Sequence, residues 1–337
     1  MILVTGGLGF IGSHTCVELL NNNHQIVIVD NLSNSKIKNH KSIFKITQKQ
    51  SYFYELDLLN FNQLEDIFKK HNITEIIHFA GSKAVSESIK KPIYYYENNI
   101  ITTMNLLKLS KKYNVKKFIF SSSATVYGSS KSPLSEESLI GVGITNPYGR
   151  TKYFIEEILK DFSKANTNIN FISLRYFNPV GCHSSQLIYE DPNGIPNNLM
   201  PYVIRVAMKN NIDDTLDDVY KELNIFGYDY PTRDGTAIRD YIHVVDLAKA
   251  HVKAVESKID KSYEVYNVGT GKGTTVLEIV ETFKKVNKLK LPYKMVNRRD
   301  GDLDIVYCYS NKIERELGWK CEKTLEDVCR INLNLLN

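Results

Sequence analysis

The chain has 337 residues, of which 42% are hydrophobic and 24% charged, and its formal net charge at pH 7 is +5. This length exceeds one compact domain of ordinary size and predicts a large core with a smaller appended lobe. No stretch approaches the roughly 18 consecutive apolar residues of a membrane-spanning helix, so no membrane partner is expected. The lysines are scattered without groove-reading elements beside them, which argues against a nucleic-acid partner.

The first residues and the cysteines indicate the compartment. Met1 leads directly into an apolar run, with no basic segment or transit peptide ahead of it. The five cysteines are an odd number and none has CxxC spacing. We therefore expect a cytoplasmic protein without a disulfide framework and without a bound metal.

Short apolar runs alternate with helical patterns of ten or more residues in the first half of the chain. The runs cover residues 2–4, 26–29, 76–79, 118–120 and 171–174. Such nearly continuous apolar runs are typical of parallel strands that helices cover on both faces. The pattern predicts an α/β fold with a Rossmann-type, doubly wound parallel sheet and right-handed crossovers.

A glycine-rich loop, TGGLGFIG at residues 5–12, lies between the first predicted strand and a helix predicted over residues 13–20. Glycine at positions 6, 9 and 12 (Gly6, Gly9 and Gly12) lets the backbone and the helix N-terminus approach a diphosphate. Asp30 ends the second predicted strand, where its carboxylate can accept hydrogen bonds from an adenosine ribose and repel a 2′-phosphate. Together they predict NAD rather than NADP. The alternative role of Asp30 is to cap the polar turn that follows it.

The serine-rich run SSSATVYG, residues 121–128, follows the predicted strand at residues 118–120. Its hydroxyls therefore emerge at the carboxyl edge of the sheet, where open α/β folds bind ligands. One of these serines can orient a substrate hydroxyl. The alternative is a turn in which the hydroxyls satisfy only local backbone groups.

Tyr148 and Lys152 are four residues apart on a predicted helix and so share one face. Because a free tyrosine titrates near pH ~10, its use as a base at pH 7 requires stabilising the phenolate by roughly 4 kcal/mol. The lysine charge supplies part of this, and an oxidised nicotinamide would supply much of the rest. The pair predicts a tyrosine base that works beside NAD, whereas the alternative is a half-exposed tyrosine beside a solvated lysine.

The alternation of strands and helices weakens after residue 177. We predict an NAD-binding Rossmann domain over residues 1–177, which includes the catalytic residues, and a smaller mixed α/β substrate domain over residues 178–337. Turn-rich stretches lie at residues 191–198 and 228–235, and an acidic stretch at residues 210–222. The acidic stretch is interpreted as an exposed loop or short helix rather than a metal site.

Nine strings across more than 300 residues, read in order, resemble the UDP-galactose 4-epimerases, a group of extended short-chain dehydrogenases/reductases. They are TGGLGFIGSH, Asp30-Asn31, HFAGSKAV, SSSATVYG, NPYGRTK, LRYFNPVG, GIPNNLMPY, RDYIHVVDLA and RRDGDL. The resemblance implies that UDP-hexoses are epimerised at C4 through a transient 4-keto sugar with tightly bound NAD. It thus implies an isomerase of galactose and sugar-nucleotide metabolism.

The resemblance also implies roles for individual residues. Tyr148 is the acid/base on the sugar 4-hydroxyl, Ser123 hydrogen-bonds the same oxygen, and Lys152 lowers the tyrosine pKa and holds the nicotinamide ribose. All three also border the cofactor. The other positions that match NAD contacts are Gly6, Gly9, Phe10, Ile11, Gly12, Asp30, Asn31, Asn34, Ser35, Asp57, Leu58, Phe79, Ala80, Lys83, Asn98 and Phe177. The further positions that match UDP-sugar contacts are Asn178, Asn198, Leu199, Arg239, Tyr241, Arg299 and Asp302.

Three points qualify the resemblance. Arg239 and Asp240 could instead form a structural ion pair with each other. His243 is interpreted as a packed core histidine rather than a catalytic group. Between residues 207 and 226 the chain is several polar residues longer than related proteins. Val306 stands where some relatives carry a bulky tyrosine and others a small cysteine, so we expect N-acetylated hexoses to fit, unless Tyr307 fills the space.

Other functions remain as alternatives. A 4,6-dehydratase would need acid and base groups that residues 124–126 lack, and a preference for uronic or pentose sugars is less firmly excluded. A non-catalytic NAD-binding sensor need not keep Ser123, Tyr148 and Lys152 together. The resemblance further implies a homodimer, packed through a helix after Asn98 and the helix that carries Tyr148.

Overall fold

The computed structural model describes residues 1–299, 301–331 and 333. Strands β1 to β14 are Ile2–Thr5, Ile26–Asp30, Tyr52–Glu55, Glu75–His78, Lys117–Ser123, Asn170–Tyr176, Asn178–Val180, Leu223–Phe226, Ile238–Arg239, Tyr241–His243, Tyr263–Val268, Thr274–Thr275, Tyr293–Val296 and Ile305–Val306. Helices α1 to α12 are Phe10–Asn21, Lys38–Thr47, Phe61–Lys70, Val85–Lys90, Pro92–Tyr96, Thr102–Lys112, Pro147–Ala165, Leu199–Asn211, Val244–Glu256, Val276–Asn287, Asn311–Leu317 and Leu325–Cys329. A π-helix covers Glu97–Ile101, and 3₁₀-helices cover Ala124–Tyr127 and Asp218–Tyr220.

The main sheet has seven parallel strands in the order β11-β6-β5-β4-β1-β2-β3. The predicted α/β fold class and the five predicted strands are confirmed, with bounds that differ by a few residues. β3 was not predicted, because its residues are exposed or half-buried and lack an apolar run. The strand order reverses between β1 and β4, and the crevice beside the carboxyl ends of these strands is where such sheets bind ligands.

Two hydrophobic cores cover the two faces of this sheet. Ile2 and Val4 of β1 point into one core, with α1 and α9, whereas Leu3 points into the other, with α3, α6 and α7. All three side chains are at most 2% exposed. The alternation follows from the two-residue period of a strand, and each buried side chain contributes about 1.5–3 kcal/mol.

The seventh strand of the sheet comes from beyond residue 177. β11 pairs with β6 from Tyr263 to Val268, and α9 packs against α1. Residues 244–268 therefore complete the sheet and helical layer of the first lobe, although they lie beyond the predicted boundary. The sequence did not reveal this because pairing with β6 joins residues about 90 positions apart, which no local pattern records.

The second lobe has its own core, formed mainly by α8, α10, α12 and the β8–β13 pair. The acidic stretch is mainly a loop with one 3₁₀-helix at Asp218–Tyr220, and the side chains of Asp214 and Asp217 in it are exposed. The interpretation as an exposed loop is confirmed. Within the described residues, no three histidine, cysteine or acidic side chains are grouped to hold a metal.

Two further features bear on the chemistry of the chain. Cys16, Cys182, Cys308, Cys321 and Cys329 all have free thiols. In the part of the chain that the structure describes, no helix combines the length and apolar character needed to cross a membrane.

Candidate active site

The glycine loop forms a tight cradle between β1 and α1. Gly6 has a φ of +67°, and a β-carbon there would lie 2.7 Å from the backbone nitrogen of Ala80. A β-carbon at Gly12 would lie 2.2 Å from the carbonyl oxygen of Gly6. Both positions therefore require glycine. They bring bare backbone and the N-terminus of α1, which begins at Phe10 after Gly9, to the carboxyl end of β1.

Asp30 is almost buried and ties the glycine loop to the turn after β2. Its carboxylate accepts hydrogen bonds from the backbone nitrogens of Leu8 and Leu32, both at 3.0 Å, and from the hydroxyl of Ser35 at 2.8 Å. The carboxylate thus caps the turn, as the alternative interpretation holds. It also lies at the end of β2 beside the glycine cradle. The same carboxylate thus has a structural role in addition to the predicted contact with a ribose.

The other predicted NAD positions border the same edge of the sheet. The amide of Asn31 donates to the carboxylate of Asp57 at 3.0 Å, which joins the ends of β2 and β3. The backbone nitrogens of Phe79 and Ala80, after β4, both donate to the carbonyl oxygen of Thr5. Ile11, Asn34 and Leu58 lie in the segments that follow β1, β2 and β3, and Asn98 and Phe177 in those that follow β4 and β6.

Ser123, Tyr148 and Lys152 come together where β5 meets the start of α7. Ser123 is the last residue of β5, and Tyr148 lies in the first turn of α7. That helix begins after Asn146, whose side chain accepts from the backbone nitrogen of Gly149 at 2.8 Å. The cap sets the first turn, so Tyr148 faces the serine run.

The electrostatics of this group differ from the simple tyrosine–lysine pair. Burial raises the pKa of Tyr148, while a hydrogen bond with Ser123 and the charge of Lys83 lower it. The Lys152 ammonium donates to the carbonyl oxygen of Ser121 at 2.6 Å and lies 5.9 Å from the centre of the Tyr148 ring. Lys83 is thus a second cation beside the phenol, which spacing did not indicate because it lies 65 residues away.

Burial lowers the pKa of Lys152 to about 7, and the carboxylate of Glu156 opposes this shift. The lysine is only 6% exposed. Its charge is therefore held in a position where solvent screens it little, which strengthens its field at the neighbouring phenol whenever it is protonated.

Glu190 connects the two lobes across the site. One oxygen of its carboxylate lies 2.9 Å from the Lys83 ammonium and 2.6 Å from the Asn198 amide nitrogen. Lys83 was predicted to contact NAD and Asn198 to contact UDP. Glu190 was not predicted, because nothing in the sequence places it opposite Lys83.

Three of the predicted UDP residues form one group of ion pairs. Asp302 contacts Arg299 at 3.0 Å and Arg239 at 3.6 Å. Burial raises the pKa of Tyr241 to about 12, against the charges of the two arginines. Asn178 and Tyr241 are register partners in the β7–β10 pair. Leu199 begins α8 directly after Asn198.

Two of the structural alternatives are resolved by direct contacts. Asp240 does not pair with Arg239, since its carboxylate accepts from Thr270 and from the backbone nitrogen of Gly271 instead. His243 caps α9 by accepting from the backbone nitrogen of Val245, and burial lowers its pKa to about 4. The interpretation of His243 as a packed histidine is confirmed.

Val306 lies in β14 beside Arg239 and packs on the cluster that contains Tyr127 and Phe177. Tyr307, the next residue, lies against Gly273, 3.4 Å from where a β-carbon would be. The Tyr307 ring is thus directed toward Gly273, whereas Val306 packs on the cluster of Tyr127 and Phe177. The Thr125 hydroxyl in the serine run is buried without a partner in the structure.

The fold and this group of side chains are typical of Rossmann-type, NAD-dependent enzymes in which a serine, a tyrosine and a lysine meet at the carboxyl edge of the sheet. The model of the NAD dependent epimerase/dehydratase family matches residues 2–269, and the chain belongs to that family.

Individual relatives are more specific. The chain is 49% identical over 330 residues to the UDP-glucose 4-epimerase of Bacillus subtilis (strain 168), an alignment that covers 97% of this chain and 94% of that protein. The crystal structure of UDP-glucose 4-epimerase from Bifidobacterium longum in complex with NAD+ and UDP matches with a TM-score of 0.91 and 47% identity, over 99% of this chain and 96% of that one. The UDP-Glc/GlcNAc 4-epimerase of Campylobacter jejuni matches with a TM-score of 0.80 and 36% identity, over 97% and 96%.

Proposed function

We propose that this chain is an NAD-dependent UDP-glucose 4-epimerase, which interconverts UDP-galactose and UDP-glucose. The observation that carries this function is the meeting of Ser123, Tyr148 and Lys152 beside the glycine cradle. Relatives close to half identical over nearly the whole chain bear the same activity in their names. The assignment of individual residues below extends this function to the positions of this chain.

The residues present fit NAD. Gly6 and Gly12 let the loop pack tightly, so that its bare backbone and the N-terminus of α1 could face a diphosphate, and Asp30 ends β2, where an adenosine ribose would lie. Lys152 would hold the nicotinamide ribose. When bound, NAD would supply the hydride acceptor and donor for C4 of the hexose.

The side chains manage the proton and the geometry. As a phenolate, Tyr148 takes the proton of the 4-hydroxyl while C4 is oxidised to a ketone, and Ser123 holds the same oxygen. The keto sugar then turns about its link to the diphosphate and presents its other face. Tyr148 returns the proton as C4 is reduced, so the stereocentre inverts without net oxidation. Arg239 and Arg299 bind the diphosphate through forked donors and leave the hexose free to turn.

A dehydratase is disfavoured by the same site. Elimination of water from the sugar requires an acid and a base beyond the tyrosine. The 3₁₀-helix Ala124–Tyr127 follows Ser123 directly and carries no acidic side chain. Epimerisation, which needs a single acid/base, therefore fits this site better.

The proposed function is tested with the purified protein. We expect denaturation to release NAD, and we expect UDP-galactose to be converted to UDP-glucose without added cofactor. Bound NAD without conversion of any UDP-sugar in a panel that includes pentose and uronic sugars would instead favour the non-catalytic sensor. Absence of both NAD and conversion would reject the proposal.

We also propose that UDP-N-acetylglucosamine and UDP-N-acetylgalactosamine are substrates. Tyr307 lies against Gly273, Val306 packs on the cluster of Tyr127 and Phe177, and valine is smaller than tyrosine by a whole ring, which would leave room for an acetamido group. Val306→Tyr is expected to lower kcat/KM for UDP-N-acetylglucosamine at least tenfold while that for UDP-galactose changes less than threefold, as measured by product analysis. Val306→Ala serves as the matched control and should keep both activities. Equal losses for the plain and acetylated sugars in Val306→Tyr would contradict this role.

A homodimer is proposed from an apolar surface on neighbouring helices. Ile93 and Tyr94 of α5, Met104 of α6 and Phe154 of α7 are 40–66% exposed, as is Ile101. Large apolar patches on soluble proteins mark interaction sites. Wild type is expected to have twice the 38.6 kDa chain mass by light scattering.

Charges on this surface test the homodimer. The double variant Ile93→Glu/Ile101→Glu should be monomeric, because a glutamate cannot be buried unpaired at an interface. Ile212→Glu is the matched control, since that isoleucine is 45% exposed at the end of α8 and should leave the dimer intact. A monomeric wild type, or a dimeric double variant, would refute the proposal.

The free thiols of all five cysteines support a cytoplasmic location.

A further inference from the structure

The end of β5 contacts α7 through three consecutive serines, residues 121–123. The contacts join Ser123 to Tyr148, the carbonyl oxygen of Ser121 to Lys152, and the hydroxyl of Ser122 to Glu156. The three partners are four residues apart and therefore follow one face of the helix. Two of them are the proposed catalytic residues. Glu156 makes the third contact and has no role in the mechanism above.

Glu156 is held in a buried ion pair. Its Oε1 accepts from the Ser122 hydroxyl at 2.5 Å and from Arg175 Nε at 3.0 Å, and its Oε2 accepts from Arg175 Nη2 at 2.7 Å. The two charged side chains are 1% and 4% exposed. Because removing two charges from water offsets most of their attraction, such a pair adds little to stability over an apolar one. The two parallel hydrogen bonds between Arg175 and Glu156 do, however, fix the orientation of both side chains.

Arg175 also holds the far end of the serine run. Its Nη1 donates to the Tyr127 hydroxyl at 3.0 Å, and that hydroxyl donates to Asn267 at 2.6 Å. Arg175 lies in β6, directly beside β5 in the sheet. Hydrogen bonds thus hold the segment at residues 122–127 at both ends, to Glu156 at its first residue and to Arg175 at its last. Ser123 lies within this segment.

We propose that Glu156 and Arg175 are positioning residues of the epimerisation. They fix the segment at residues 122–127 against α7, so that Ser123 keeps its hydrogen bond with Tyr148 while the sugar turns between the two hydride transfers. The same oxygen must be held in two orientations of the sugar, and small displacements of such groups cost large factors in rate. This inference rests on the proposed epimerase function.

Glu156→Gln tests the inference. Glutamine keeps the size of the side chain and an acceptor for Ser122 but removes the charge that aligns Arg175. We expect kcat for UDP-galactose to fall 10- to 100-fold, with KM and the amount of bound NAD changed less than threefold. In the proposed function Arg239 and Arg299 bind the diphosphate, and Glu156 does not contact it. We therefore expect kcat to fall without a matching change in KM.

Glu264→Gln is the matched control. Glu264 is also a nearly buried acid in an ion pair, with Lys312 and Lys261, but it lies in β11 away from the catalytic group. It should lower the melting temperature and keep kcat within twofold. Arg175→Lys, which keeps the charge without the fork, should lower kcat as Glu156→Gln does. If Glu156→Gln does not fold, Ser122→Ala and Tyr127→Phe, which leave no buried charge unpaired, should each lower kcat at least fivefold.

The outcomes separate this inference from the proposed function. An inactive wild type would defeat the epimerase proposal itself. If wild type is active, a folded Glu156→Gln that keeps kcat within threefold overturns the positioning role. A Glu156→Gln variant in which kcat, KM and the amount of bound NAD all change together would also overturn the positioning role. Where only Ser122→Ala and Tyr127→Phe can be measured, unchanged kcat in both overturns it as well.

Discussion

Replacing Tyr148 by phenylalanine is expected to lower kcat for UDP-galactose by about 10²–10⁴-fold, the range for loss of a general acid/base. The ring keeps its place at the start of α7, but no group remains to take and return the proton of the 4-hydroxyl. The variant should still carry NAD, because the glycine cradle and Asp30 are unchanged. Turnover by a coupled assay and NAD released on denaturation measure the two effects separately.

A second tyrosine on the same helix provides the control. Tyr153 also lies in α7, and the hydroxyl end of its ring lies against Gly141. Tyr153→Phe should keep kcat within about threefold and the full content of NAD. Retained epimerisation in Tyr148→Phe would remove this residue from the mechanism, and loss of NAD would show that its hydroxyl is needed to hold the cofactor.

Replacing Lys152 by methionine is expected to lower kcat at least 100-fold and to change how stability depends on pH. Burial lowers the pKa of Lys152 from an ordinary 10.5 to about 7. The unfolded chain therefore binds one more proton than the folded chain between pH 7 and 10.5. This difference makes wild type gain up to about 1.4 kcal/mol of stability per pH unit as the pH rises through that range. Below pH 7 both states are protonated and the lysine adds no slope.

Methionine removes this titration. The free energy of unfolding of apoprotein, measured with urea at pH 7, 8 and 9, should rise less steeply for Lys152→Met than for wild type. The matched control is Lys160→Met, since Lys160 is on the same helix and pairs with Glu157 at the surface. It should keep the wild-type slope and activity. Identical slopes for wild type and Lys152→Met would mean that the lysine is not held in a low-pKa environment.

Two cations, rather than one, stand behind the tyrosine in this site. Lys152 is fixed by the carbonyl oxygen of Ser121, while Lys83 reaches the site from the loop after β4 and is paired with Glu190. Glu190 also binds Asn198, so the arrangement of the acid/base group is coupled to the lobe that would hold UDP. The spacing of a tyrosine and a lysine on one helix turn predicts Lys152 beside the phenol, but it does not predict Lys83.

Local patterns carried much of the fold and part of the site. The apolar runs predicted five of the seven strands of the sheet because burial on both faces leaves an uninterrupted apolar stretch. The glycine positions predicted the cradle because a β-carbon there would clash with the backbone of Ala80 or Gly6. Tyr148 and Lys152 were placed on one face of α7 because helix geometry depends only on their spacing.

The tertiary structure decided what depends on distant parts of the chain. It added β11 to the sheet, brought Lys83 to Tyr148, and fastened the serine run through Glu156 and Arg175. None of these contacts is evident in the sequence, because the partners lie 19 to about 90 positions apart. The sequence by itself therefore predicted which side chains carry the chemistry, through spacings within one element and the resemblance of its motifs. Only the folded chain determined what surrounds them, because burial and pairing arise from contacts between elements.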